Sequence, residues 1–205
     1  MISMRSVVRV MVFLAFGAMG LYAQGTDMED YNKFLRLTEA APAAYVAGDK
    51  TTAVAEAKEL LEMATAYRRG WNYGNAVHAA HLVLGRVAAD AGQMKEAREN
   101  LFESVTSLPY AFDASITNTQ PWEMPFPKLA YKGSPQMDTF GPDMSFARDL
   151  LAKGEKDTVL KYLDLCANFW RLEDGKLALW KKQINADQVP NFGPNMIYVF
   201  DASSR

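Results

Sequence analysis

Apolar residues recur every three or four positions along most of this chain, which is the period of a helix rather than a strand. In DMEDYNKFLRLTEAAPAAYVAG, Tyr31, Phe34, Leu35 and Thr38 share one face, and Asp27 or Asp30 is placed to cap the start. Pro42 lacks an amide donor, so it is expected to break or kink that helix, or to open a second one. KTTAVAEAKELLEMATAYR then aligns Ala53, Ala57, Leu60, Leu61 and Ala64 in one stripe, opposite Glu56, Lys58 and Glu59. A third run, from about 75 to 91, carries Val77, Leu82, Leu84, Val87 and Ala88, and Gly92 supplies its C-terminal cap. QMKEARENLFESVTSLP follows, with Ala97, Leu101 and Val105 on one face and a stop before Pro109. Two later runs, DMSFARDLLAKGEK and TVLKYLDLCANFW, continue the pattern. LEDGKLALWKKQINADQ, with Leu177, Leu179 and Trp180 apolar, reads as a closing helix with Phe169 and Trp170 nearby.

The turns between these helices repeat as well. Gly48 precedes Ala53 by five residues, Gly92 precedes Ala97 by five, and Gly154 precedes Val159 by five. Each glycine opens a polar turn and then a helix, at intervals of 44 and 62 residues. From His78 to about Ala111 the sequence resembles a tetratricopeptide repeat. Leu84-Gly85 matches its first-helix Leu-Gly pair, and Ala97 its small second-helix residue. Leu101 fills the large apolar position and Pro109 the terminal proline. His81 and Ala88 depart from it, standing where the motif prefers tryptophan and tyrosine. The resemblance implies an all-α fold of antiparallel helical hairpins stacked as a short tetratricopeptide-like solenoid. As family behaviour it also implies a scaffold that binds a polypeptide.

One stretch breaks the rhythm. From Leu108 to Pro142 lie six prolines and six aromatic residues, a composition too aromatic for a disordered tether. It is expected to form a long irregular insertion, a strap over the helices. Its PWEMPFP segment either lines a groove or pins the strap by burial. Trp122, Phe126 and Tyr131 are the candidate partner-binding residues. The strap ends in FGPDM (140–144), which returns as FGPNM (192–196). In both copies the proline fixes φ and the Asp or Asn is placed to cap a helix, with Phe140 stapling onto Phe146 or Ala147 in the first.

The N-terminus changes the picture of location. Arg5 and Arg9 precede a charge-free run of 14 residues, Val10 to Ala23, which suits a secretory signal more than a membrane span. Residues 1–23 are the expected signal peptide and 24–205 a single helical repeat domain. Export to a periplasmic or extracellular compartment follows, with membrane contact only through an uncleaved N-terminal segment. Removing Arg5 and Arg9 leaves 20 basic against 24 acidic residues, with no basic stripe for nucleic acid.

Candidate chemistry is sparse. His78 and His81, the only histidines, stand three apart without the glutamate and four-residue spacing of a zinc helix. Cys166 cannot pair within the chain and reads as a buried thiol. No catalytic, metal or cofactor-binding residue is assigned. The expected function is a non-catalytic, exported adaptor resembling repeat-bearing bacterial proteins. The alternative is an envelope small-ligand-binding or hydrolytic protein with its pocket under the 108–142 strap.

Overall fold

The computed structural model describes residues 28–68, 72–106 and 135–196. Among the described residues the chain is all helical, with eight packed α-helices and no strand. They are α1 (28–46), α2 (Lys50–Ala64), α3 (Tyr73–Asp90), α4 (Met94–Thr106), α5 (Pro135–Phe140), α6 (Ser145–Ala152), α7 (Lys156–Cys166) and α8 (Lys176–Asn185). Short 3-10 turns occupy Thr65–Tyr67 and Gly193–Met196. The expected signal peptide and most of the strap lie outside the described residues.

Three of the helix pairs close through one and the same turn. Gly48, Gly92 and Gly154 adopt φ of +85°, +75° and +84°, where a side chain would be strained. In each, the glycine amide bonds a carbonyl three residues back. The next amide reaches five back: Asp49 to Ala44, Gln93 to Ala88, Glu155 to Leu150. That pattern satisfies the orphan carbonyls of the outgoing helix. The residue five beyond each glycine, Ala53, Ala97 or Val159, is fully buried, and so is the one nine beyond, Ala57, Leu101 or Leu163. The spacing read from sequence therefore marks three turns of one kind, each followed by a buried helix face.

Side-chain pairings give their directions. Lys33 meets Glu59 across α1 and α2, His81 meets Asn100 across α3 and α4, so partners run antiparallel. Between hairpins the order is parallel: Arg98 and Phe102 of α4 face Glu155 and Lys161 of the third hairpin in the same sequence. Likewise His78 and Arg86 of α3 face Asp143 and Asp149 around α6. Gly85 sits at this junction. A Cβ there would lie 2.5 Å from Phe146 Cε1 and 3.2 Å from Asn100 Cβ, so only hydrogen lets α3, α4 and α6 converge. α8 returns along α7, with Lys181 on Asp164 and Lys156 on Asp187.

Four expectations need correction. α1 runs unbroken through Pro42, whose surroundings bury Phe34, Leu37 and Ala41. Helix interruption by proline costs about 3 kcal/mol, and that buried stripe offsets it. The strap is not irregular to its end, since Pro135 opens α5, a first-turn position where its missing amide costs nothing. Phe140 does not staple; it is 72% exposed. On α8, Leu177, Trp180 and Ile184 are buried against the stack and Leu179 is exposed.

The two FGP motifs meet. Asn195 donates both amide hydrogens to the first copy, to Phe140 O at 2.9 Å and Pro142 O at 3.0 Å. In return, the Met144 amide donates to Asn195 O at 2.9 Å. Phe192 enters an aromatic pocket edge-on to Trp180, with ring centroids 4.9 Å apart and the Trp170 ring tilted against Trp180 at 5.7 Å. Asp143 caps from one position early, its Oδ1 accepting from the amide of Ser145, the first residue of α6, with Met144 between them. Asn195 does not cap as expected; its side chain serves the other copy.

Candidate functional site

Polar side chains on the parallel helices α1, α3 and α6 converge in one seam. Arg86 sits on the same helical face as the apolar Leu82 and Val83, so the fold carries its guanidinium inward, leaving 6% exposed. There it pairs with Asp149 of α6 and donates to Ser145 Oγ at 2.6 Å. The Tyr45 and Phe146 rings lie 5.8 and 5.3 Å from it, so one cation ties together three helices. A buried charge of this kind is tolerated only when paired and hydrogen-bonded. Here the pair reaches water at its outer end, where Asp149 is 37% exposed.

At the helix C-termini the seam opens onto the surface. Tyr45 donates to Asp90 Oδ2 at 3.1 Å, and Lys50 Nζ lies 2.8 Å from the same oxygen. Burial, followed by the Asp90 charge, pushes the Tyr45 hydroxyl above its ordinary value. Arg148, 3.6 Å from Asp149, and exposed Lys153 extend the face along α6. The result is a partly exposed tyrosine ringed by mixed charges.

Deeper in the seam lies His78. Its Nδ1 faces the Ser104 carbonyl at 3.2 Å, which can only accept; its Nε2 faces the Asp143 amide at 3.1 Å, which can only donate. Those partners require the neutral ring with its proton on Nδ1. Burial lowers its pKa to about 4, against a smaller upward pull from the Ser104 bond and with a further lowering from His81. Asp143 is 2% exposed, and burial raises its carboxyl above the usual range despite the Ser145 bonds. Its Oδ2 has no hydrogen-bond partner among the described residues. Beside it, His81 bonds Asn100 Oδ1 at 2.9 Å.

Both nitrogens of His78 are committed to the backbone, and Ser145 Oγ accepts from Arg86, so His78 is not set up as a base for Ser145. Burial pushes the Cys166 thiol far up, keeping it uncharged. No cluster of three metal-ligating side chains occurs among the described residues, nor any helix long and apolar enough to cross a membrane.

Trp122, Phe126 and Tyr131 lie outside the described residues. Sequence reasoning did not single out Tyr45, Arg86, Ser145 or Asp149. A signal for Arg86 was present: it falls three and four residues after Val83 and Leu82, on the buried stripe of an otherwise apolar helix. Ser145 and Asp149 stand four apart, one above the other on α6. No family model, curated protein or solved structure matches the chain.

Proposed function

We infer that the chain is a non-catalytic scaffold of tetratricopeptide-like hairpins that holds a polypeptide along the face shared by α1, α3 and α6. The observation that carries this reading is the threefold recurrence of one glycine turn, followed by parallel stacking of successive hairpins. Such stacking leaves the first helix of every hairpin on one side. There Tyr45, Asp90, Asp149, Arg148 and Lys153 offer one aromatic surface and both signs of charge. A polypeptide backbone needs such donors and acceptors, and an amphipathic ring adds area at little entropic cost. The N-terminal segment and the 108–142 insertion complete the proposal as an export signal and a strap over that face. The envelope ligand-binding or hydrolytic alternative has less support, since the buried histidine and serine are engaged elsewhere.

The test is a binding selection from a displayed random-peptide library, with hits checked by calorimetry. The panel holds the parent, Tyr45→Ala, the double variant Arg148→Glu/Lys153→Glu, and Trp122→Ala/Phe126→Ala. Peptides retained by the parent and weakened at least tenfold by the first two place the site on the helices. Loss only in the third places it on the strap. A parent that enriches no peptide sequence overturns the reading.

A further inference from the structure

The second FGP copy is held as a bound peptide is held. Between the end of α8 and Met196, residues 186–189 are exposed, and the segment is then anchored at intervals by Pro190, Phe192 and Asn195. Phe192 fills the Trp180 pocket at 1% exposure, and Asn195 makes three hydrogen bonds to the loop 140–144. An aromatic anchor, a glycine-proline turn and an amide three residues after the aromatic are the features of a short linear ligand.

The hinge that delivers this segment is the weak copy of a turn used four times. α8 ends in the same bonding pattern as the three hairpins, with Asp187 bonding Ile184 O and Gln188 bonding Gln183 O. Where those turns place glycine, this one places Asp187 at φ +56°. A non-glycine residue is strained in that region, although aspartate tolerates it better than most. What holds it closed is an exposed pair, Lys156 to Asp187 at 2.7 Å, with Lys156 also reaching Asn185 O at 3.3 Å. Exposed pairs of this kind contribute little and are screened by salt.

We propose that this latch is exchangeable: the Trp180 pocket and the 140–144 loop of one copy take the 190–196 segment of a second copy, giving a tail-exchanged dimer. The second copy is the occupant because its segment fits by construction, every contact being one the monomer already makes. Exchange of an identical element adds no new interface, and strained hinges favour it. In the dimer Asp187 leaves its left-handed conformation. A short tether supplies its own tail at an effective concentration in the millimolar range. Relief of two hinges lowers the concentration needed, so dimer should appear at roughly 0.1–1 mM.

The experiment is sedimentation of the full chain from 10 µM to 1 mM, after incubation a few degrees below its melting temperature. High salt is used throughout, so that the Lys156 pair is screened in every variant. A dimer that grows with concentration is expected, dissolved by excess synthetic peptide of residues 186–196 but not by the same peptide carrying Asn195→Asp. Asp187→Gly, which allows the turn without strain, is expected to reduce dimer association about tenfold. A chain monomeric at all concentrations overturns exchange. So does a dimer that the peptide leaves intact, or one that Asp187→Gly does not weaken. The exchange requires nothing of the adaptor reading, and its failure leaves that reading standing.

Discussion

FGPDM and FGPNM differ by one atom pair at one side chain, yet the fold uses them in opposite ways. In the first copy Phe140 is exposed and Gly141 is packed against Trp170; in the second Phe192 is buried and Gly193 faces open space. Asp143 accepts a hydrogen bond from Ser145 at the start of the helix it leads into, whereas Asn195 donates two to the other copy. A local motif therefore specifies a bend, through proline and a left-handed glycine. What the bend is for depends on which neighbours the rest of the chain brings to it.

The largest effect should separate the two phenylalanines. Phe192→Ala removes the ring that fills the Trp180 pocket and should cost about 3–5 kcal/mol, the usual range for a buried aromatic. Phe140→Ala should change stability by less than about 0.5 kcal/mol, as for a surface site. Urea unfolding of both variants checks this, and equal losses would mean that both rings are core residues.

The polar pair comes next. Asn195→Asp removes two donors and sets a carboxylate against the Phe140 and Pro142 carbonyls, so it should destabilise by about 3 kcal/mol at pH 7. Asp143→Asn retains an oxygen for the Ser145 amide and removes a buried charge, so it should be within about 1 kcal/mol of neutral. Thermal melts of the two single variants at pH 7 give the contrast directly.

The glycines follow. Gly141 has φ of +84°, and a Cβ would fall inside the Trp170 indole. Strain and overlap together should make Gly141→Ala cost about 2–3 kcal/mol. At Gly193, φ is +56° with nothing near, so the alanine variant should lose only about 1 kcal/mol, from backbone strain alone. A larger loss at Gly193, measured by denaturant midpoint, would reverse this order.

How far the sequence could anticipate these contrasts depends on the range of the information. The turns at Gly48, Gly92 and Gly154 were legible because helix period, glycine and the buried residue five later are all local. Helix content was legible for the same reason. That Asn195 would reach back to Phe140 was not, because a side chain whose partners lie more than fifty residues away leaves no periodic trace. Pro42 misled in the other direction: its local preference was right, and burial of α1 overrode it. Of the seam, Arg86 was readable from its place on an apolar stripe. The meeting of Tyr45, Arg86 and Asp149 required knowing that α1, α3 and α6 run parallel.

The last contrast is one of pH, and it too belongs to a single copy. The Asp143 amide donates to His78 Nε2, while the Asn195 side chain of the second copy bonds only backbone carbonyls among the described residues. The folded His78 has a pKa of about 4 against an ordinary 6.5. Unfolded chain therefore takes up the proton first as the pH falls. The stability held by neutral His78 is complete above pH 6.5 and drains away between there and about 4. At pH 5 the loss should be about 2 kcal/mol. Asp143 works the other way, because its raised carboxyl pKa makes the folded form the better proton acceptor and offsets part of the loss. Titratable groups around the ring are His81 on α3 itself, which lowers the His78 pKa further, and, from the packed elements, Asp143 and, through Ser104, Tyr162. His78→Gln, which cannot titrate, should flatten the fall in melting temperature between pH 6.5 and 5, and adding Asp143→Asn to the parent should steepen it. A parent and a His78→Gln variant with the same slope would mean that His78 is already protonated in the fold, and that the Asp143 amide has another acceptor.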